Sequence, residues 1–85
     1  MAKDIAIDFI IAGKKLSLNK KAVEDALKQV KPDQVKKYSV HIGEMDYPIK
    51  QVVSVACDLP IAAFATPDAY RILKRLGFNV KSFRA

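Results

Sequence analysis

The chain has 85 residues, 51% hydrophobic and 28% charged, with a formal net charge of +6 and an isoelectric point near 9.6. That length predicts one domain over residues 1–85 with a single core and excludes a second, since so short a chain buries only roughly 60–65% of its unfolded surface. One cysteine (Cys57) and one histidine (His41) exclude an internal disulfide and a four-ligand Cys/His zinc site built from one chain, which predicts no metal or cofactor and fits a reducing, cytoplasmic setting.

Taken in chain order, Ile5, Ile7, Phe9 and Ile11 alternate with Ala6, Asp8 and Ile10, the period of a strand buried on one face. The apolar stretch over residues 5–12 is too short to span a membrane and carries Asp8, so it predicts neither a signal peptide nor a membrane contact. A turn at Ala12-Gly13-Lys14-Lys15 leads to Leu16 and Leu18, predicting a hairpin. Asn19 suits the cap of a helix over residues 20–31, with Ala22, Val23, Ala26, Leu27 and Val30 inward and Pro32 as its stop. On the outer face of that helix Glu24 precedes Lys28, and Lys21 precedes Asp25, each by four residues. Those charges answer one another, which makes the helix a poor polyanion ligand.

Tyr38, Val40 and Ile42 alternate with Ser39 and His41, predicting a second clear strand that ends at Gly43. A turn over Gly43-Glu44-Met45-Asp46 then returns the chain to Tyr47, and Pro48 opens a helix over residues 48–57 through Ile49, Val52, Val53 and Ala56. The connector over residues 58–65 is apolar enough to tuck beneath its neighbours as a helical turn. Thr66 can cap the next helix, with Pro67 at its first position, Asp68 where the macrodipole favours an anion, and Gly77 as its left-handed stop. Ala69, Ile72, Leu73 and Leu76 make its apolar stripe. Finally Phe78, Val80 and Ser82 alternate with Asn79, Lys81 and Phe83, predicting a closing strand. The order β-β-α-β-α-α-β defines an α+β fold with three helices and a small, largely antiparallel sheet.

No catalytic set emerges, and the chain reads as non-enzymatic. His41 lies on the polar parity of its strand, Cys57 ends a helix where nothing lowers a thiol pKa, and Glu44 and Asp46 share an exposed turn. With three scattered glycines there is no phosphate-cradling loop.

Two constellations point to anions. In Tyr47-Pro48-Ile49-Lys50-Gln51 a helix start offers backbone N–H groups beside Lys50 and Gln51, with Ser54 one turn on. The alternative there is that Tyr47 packs beneath the helix and Lys50 is merely solvated. Farther along, Arg71, Lys74 and Arg75 share the outward face of the last helix, Tyr70 stands beside them, and Lys81 and Arg84 extend a run with no acid from Ala69 onward. Such a strip suits phosphates; a solvated face or an acidic protein partner is the alternative. The two helices faintly resemble a helix-turn-helix, although the eight-residue connector over 58–65 exceeds the three or four residues of that motif.

The pattern Tyr47-Pro48-x-Lys50-Gln51, followed by Phe64-x-Thr66-x-x-Ala69-x-x-Ile72-Leu73-x-x-Leu76-Gly77-Phe78, resembles short uncharacterised bacterial domains. It is similar to N-terminal accessory regions of some HNH and modification-dependent restriction endonucleases. The resemblance covers residues 38–80 and implies a DNA-associated accessory module with Tyr47, Lys50 and Gln51 as matched polar positions. Nothing resembling the His-Asn-His catalytic pattern is present, so it implies no nuclease activity. Together these readings favour a DNA-binding domain, DNA over RNA, using Lys50, Gln51, Tyr70, Arg71, Lys74, Arg75, Lys81 and Arg84. The second reading is a protein interaction module, a homodimer or an adaptor for an acidic partner, resting on sheet edges and on Ile10, Ile61, Phe64 and Phe83 as surplus apolar residues.

Overall fold

Positive φ at two successive residues, Ala12 at 52° and Gly13 at 77°, turns the first apolar strand back on itself. In the computed structural model, which describes residues 6–34 and 37–82, β1 (Ile7–Ile11) and β2 (Lys14–Leu18) flank this two-residue loop as an antiparallel hairpin. Double-positive φ is the mark of a type I′ turn, whose twist matches that of the strands it joins. The loop is therefore shorter than the four residues the sequence predicts. Ile5 lies outside the described residues.

The α+β class holds, with three helices, but the element order is β-β-α-β-β-α-α-β and the strands form two antiparallel sheets rather than one. The hairpin is one sheet. The other runs β4-β3-β5, with β3 (Tyr38–Ile42) between β4 (Met45–Pro48) and β5 (Val80–Ser82). Strand β4 went unforeseen because Met45 and Asp46 read as turn residues. The turn is only Gly43-Glu44, with Gly43 at φ 65°, so Met45 already pairs with Ile42 and Asp46 with His41. Pro48 accordingly ends a strand and caps the following helix instead of belonging to it.

Helix α1 (Lys20–Ala26) is capped by Asn19, whose side chain accepts from the Ala22 N–H at 2.7 Å. It stops well short of residue 31. Past Ala26 the chain tightens into turns closing three residues back, and the freed carbonyls find side-chain donors from below. The Tyr47 hydroxyl lies 2.7 Å from the Val30 carbonyl and 3.1 Å from that of Leu27, while Gln51 Nε2 donates to the Lys31 carbonyl at 2.9 Å. Lys31 also precedes a proline, a position that disfavours the helical region.

Helices α2 (Ile49–Cys57) and α3 (Thr66–Arg75) pack on one another and end alike. An N–H just past each helix bonds back five residues, Leu59 to the Ser54 carbonyl and Phe78 to that of Leu73, both at 3.0 Å. This closure needs a left-handed residue between, supplied by Asp58 at φ 55° and by Gly77 at φ 94°. Between the helices a single 3-10 turn, Ile61–Ala63, fulfils the expected helical turn without being tucked beneath: residues 60–63 are exposed, and Phe64 alone drops into the core. Ala65 rather than Thr66 caps α3, and the Asp68 carboxylate accepts from the Ala65 N–H at 3.1 Å.

The core is formed by Val23 and Leu27 beside α1, Val52 and Val53 of α2, Ala69 and Leu73 of α3, and Val40 of β3, with Phe9 and Ile11 closing it from the hairpin. Each fully buried leucine or valine contributes about 1.5–3 kcal/mol. No helix among the described residues is long and apolar enough to cross a membrane.

Candidate nucleic-acid interface

Burying Ala69, Ile72 and Leu73 obliges α3 to present Tyr70, Arg71, Lys74 and Arg75 outward, as the 3.6-residue period requires. Arg71 is 73% exposed at its side chain, and one of its terminal nitrogens lies 2.8 Å from Asp68 Oδ1, one turn earlier. An ion pair so open to water contributes only about 0.2–1 kcal/mol. It leaves most of the guanidinium donors of Arg71 available.

Clefts run along both flanks of α3, and their charge differs. Toward the hairpin a cleft of about 430 Å3 is lined by Lys15, Arg71 and Arg75 but also by Asp8 and Asp68. On the opposite flank a groove of about 540 Å3 is lined by Lys37, Tyr38, Thr66, Pro67, Tyr70 and Arg71, with no carboxylate. Through Lys37, Tyr38 and Thr66 it continues into a second hollow of about 520 Å3 at the start of α2, lined by Pro48, Ile49, Lys50 and Gln51 and also by Asp33. Lys50 of the first anion-favouring constellation and Tyr70 and Arg71 of the second thus share one surface, whereas Arg75 lines the mixed-charge cleft.

Aromatic rings set its shape. Tyr38 and Tyr70 meet edge to face with centroids 5.4 Å apart and planes 68° apart. Lys37 Nζ lies 5.6 Å from the Tyr38 centroid, Lys74 Nζ 5.9 Å from that of Tyr70, and Lys50 Nζ 5.5 Å from that of Phe64. Contacts of this kind at exposed sites are worth roughly 0.5–1 kcal/mol, so the ammonium groups are held loosely and can turn to an anion.

Other residues singled out by sequence lend this surface no unoccupied polar group or lie away from it. Gln51 is only 8% exposed, and both ends of its amide are occupied: Oε1 accepts from the Asp33 N–H at 2.8 Å and Nε2 donates to Lys31. Tyr47 is buried with its hydroxyl on backbone carbonyls, and Ser54 donates to the Leu59 carbonyl. Lys81 pairs with Ser39, whereas Tyr38 pairs with Ser82 and Val40 with Val80. Alternation therefore puts Lys81 on the sheet face opposite Tyr38 and α3. Arg84 and Phe83 lie outside the described residues. On that same outer face the exposed His41 Nδ1 sits 2.8 Å from Asp46 Oδ1, a cross-strand pair in solvent. Cys57 is buried, which pushes its thiol pKa up despite the opposing charge of Lys14. A raised pKa makes it a poor nucleophile at neutral pH. Phe64 is buried, whereas Ile10 is 74% exposed and Ile61 is also exposed.

Lys37 and Tyr38 were missed by sequence reasoning. Tyr38 read only as the inward parity of a strand, while the Lys36-Lys37-Tyr38 run, a basic doublet before an aromatic, was the available signal. Among the described residues no group of three or more His, Cys, Asp or Glu side chains could hold a metal ion.

Fold and surface together define an α+β domain with a cationic, aromatic-lined groove between its last helix and its three-stranded sheet. Residues 7–85 match the SCO5918-like family model, and the chain belongs to that family. The family description names no activity, ligand or partner. No curated protein and no solved structure gives a significant match to the chain.

Proposed function

We propose that this chain is a small, non-enzymatic nucleic-acid-binding domain that contacts phosphates through Arg71, Lys74 and Arg75 of α3, with Lys50 and Lys37 extending the track. The observation that carries this reading is the groove along α3, where Lys37 and Arg71 line the walls beside two tyrosines and, among the described residues, no carboxylate lines it, Asp68 pairing with Arg71 from the neighbouring cleft. Net charge of +6 adds long-range attraction for polyanions. The resemblance of residues 47–51 and 64–78 to accessory regions of HNH and modification-dependent restriction endonucleases favours DNA over RNA.

The test is fluorescence anisotropy with labelled DNA over a salt series, comparing the wild type with an Arg71→Ala, Lys74→Ala, Arg75→Ala variant whose folding is checked by circular dichroism. Affinity falls with salt by a log-log slope of about 0.9 per phosphate contact on duplex DNA, and the variant loses both affinity and slope. Absence of binding at low salt, or a variant indistinguishable from wild type, refutes the reading. A second reading, a protein interaction module, draws on Ile10, the most exposed large hydrophobic side chain among the described residues, on the outer parity of a hairpin whose β1 and β2 each have one edge unpaired among those residues. A concentration-dependent dimer seen by light scattering and abolished by Ile10→Lys would support it.

A further inference from the structure

We infer that the Tyr38–Tyr70 groove receives an unpaired DNA base, so that the domain prefers single-stranded or locally opened DNA to an intact duplex. This rests on the nucleic-acid reading above and deepens it.

The argument starts from what the rings can touch. Phosphate contacts need only cations, and Arg71, Lys74 and Arg75 would suffice on a plain helix face. Two aromatic rings at a groove wall serve something else. Tyr70, though on the polar side of α3, is 36% exposed, and its ring meets Tyr38 across the boundary between helix and sheet. A ring stacks on a base only when the face of that base is free, whereas in a duplex each face is covered by its neighbours. The partners of the rings fit the same ligand. Lys37 and Lys74 ammonium groups lie over Tyr38 and Tyr70 respectively, both lysines exposed to water. A base sliding onto either ring displaces an ammonium, which then lies within a side chain's reach of the phosphates flanking that base. Basic groups interleaved with aromatic platforms are the composition of single-strand channels. The mixed-charge cleft on the hairpin flank, with Asp8 and Asp68, lacks an aromatic platform of this kind, its one ring being the buried Phe9.

The chain has three tyrosines and no tryptophan, and Tyr47 is buried. All three rings emit, but Tyr47 is shielded from a ligand, so a DNA-dependent change in tyrosine emission reports on Tyr38 and Tyr70. Wild-type protein is titrated with oligo(dT) and with a duplex of equal length, following anisotropy of the labelled DNA and tyrosine emission in parallel. Tyr70→Ala and Tyr70→Phe are compared. The expected result is tighter binding of oligo(dT) than of duplex, with quenching by oligo(dT). Tyr70→Ala weakens oligo(dT) binding roughly 5- to 150-fold, the usual range for removing one stacking ring, and duplex binding by a clearly smaller factor. Tyr70→Phe retains affinity because the ring remains. Equal affinity for both DNAs, no quenching and no effect of Tyr70→Ala, with salt-dependent binding still present, overturns this inference while phosphate binding by α3 survives. Failure of both DNAs to bind at low salt removes the inference and the proposed function together. Should Tyr70→Ala unfold, wild-type protein decides the question: quenching by oligo(dT) and not by duplex supports the inference, and equal or absent quenching overturns it.

Discussion

Gln51 separates a folding role from a binding role. Its amide joins the loop after α1 to the first turn of α2 through two bonds, from the Asp33 N–H at 2.8 Å and to the Lys31 carbonyl at 2.9 Å, at a site only 8% exposed. Gln51→Ala removes both bonds, and the loop groups are only partly compensated by water. With about 1 kcal/mol net per bond, the expected loss is roughly 2 kcal/mol. For a domain of this size each kcal/mol moves the melting temperature by about 4–8 °C, so Tm should fall by about 8–16 °C. Gln51→Glu sharpens the test, because it keeps an acceptor for Asp33 but faces the Lys31 carbonyl with a second acceptor, and it should destabilise at least as much. The assay is thermal unfolding by circular dichroism beside DNA anisotropy at a temperature where every variant is folded. The folded fraction of either variant should bind DNA like wild type. An unchanged Tm together with weakened binding would refute the assignment and return Gln51 to the interface.

Ala12 sits at φ 52° in the type I′ loop, where Asn is far better suited, so Ala12→Asn should raise stability by about 0.5–1 kcal/mol, read as a Tm increase of a few degrees. Asp68→Asn keeps an oxygen for the Ala65 N–H but removes the charge beside Arg71. It should strengthen DNA binding about two- to fivefold, the worth of one surface ion pair, while Tm falls slightly; a weaker complex in the anisotropy assay would mean that Arg71 does not meet phosphate.

Local rules made much of the fold legible. The hairpin, β3, the apolar stripes of α2 and α3 and the stop at Gly77 all follow from periodicity and capping residues within a short window. What escaped was decided by distant partners. Nothing near residue 27 says that α1 ends there, because the groups that accept its end, Tyr47 and Gln51, lie some twenty residues on. Strand β4 is four residues long and is fixed by pairing with β3, so its own composition carries almost no signal. The basic face of α3 was visible for the same reason its apolar face was. The groove was not, since Lys37 and Tyr38 enter it from β3 and the residue before, and only the packing of α3 beside that strand end brings Tyr38 within 5.4 Å of Tyr70.

The charge surplus is therefore sorted by architecture rather than spread evenly. Register sends Lys81 to the outer face of the sheet, with the His41–Asp46 pair, and the hairpin flank of α3 mixes both signs. The cations that remain together come from three separated segments: Lys37 before β3, Lys50 at the start of α2, and Arg71 with Lys74 on α3. Beside them lies the clasp in which Tyr47 and Gln51 bond to the backbone at Leu27, Val30, Lys31 and Asp33. Of the three polar positions in the Tyr-Pro-x-Lys-Gln motif, Tyr47 and Gln51 bond to the backbone, and Lys50 alone brings a charge to the hollow that it lines with Gln51. A motif built that way marks the scaffold that creates a groove. The residues that choose its ligand are then free to differ in any chain that keeps the clasp, and Lys37, Tyr38, Tyr70 and Lys74 are where differences in ligand preference would arise.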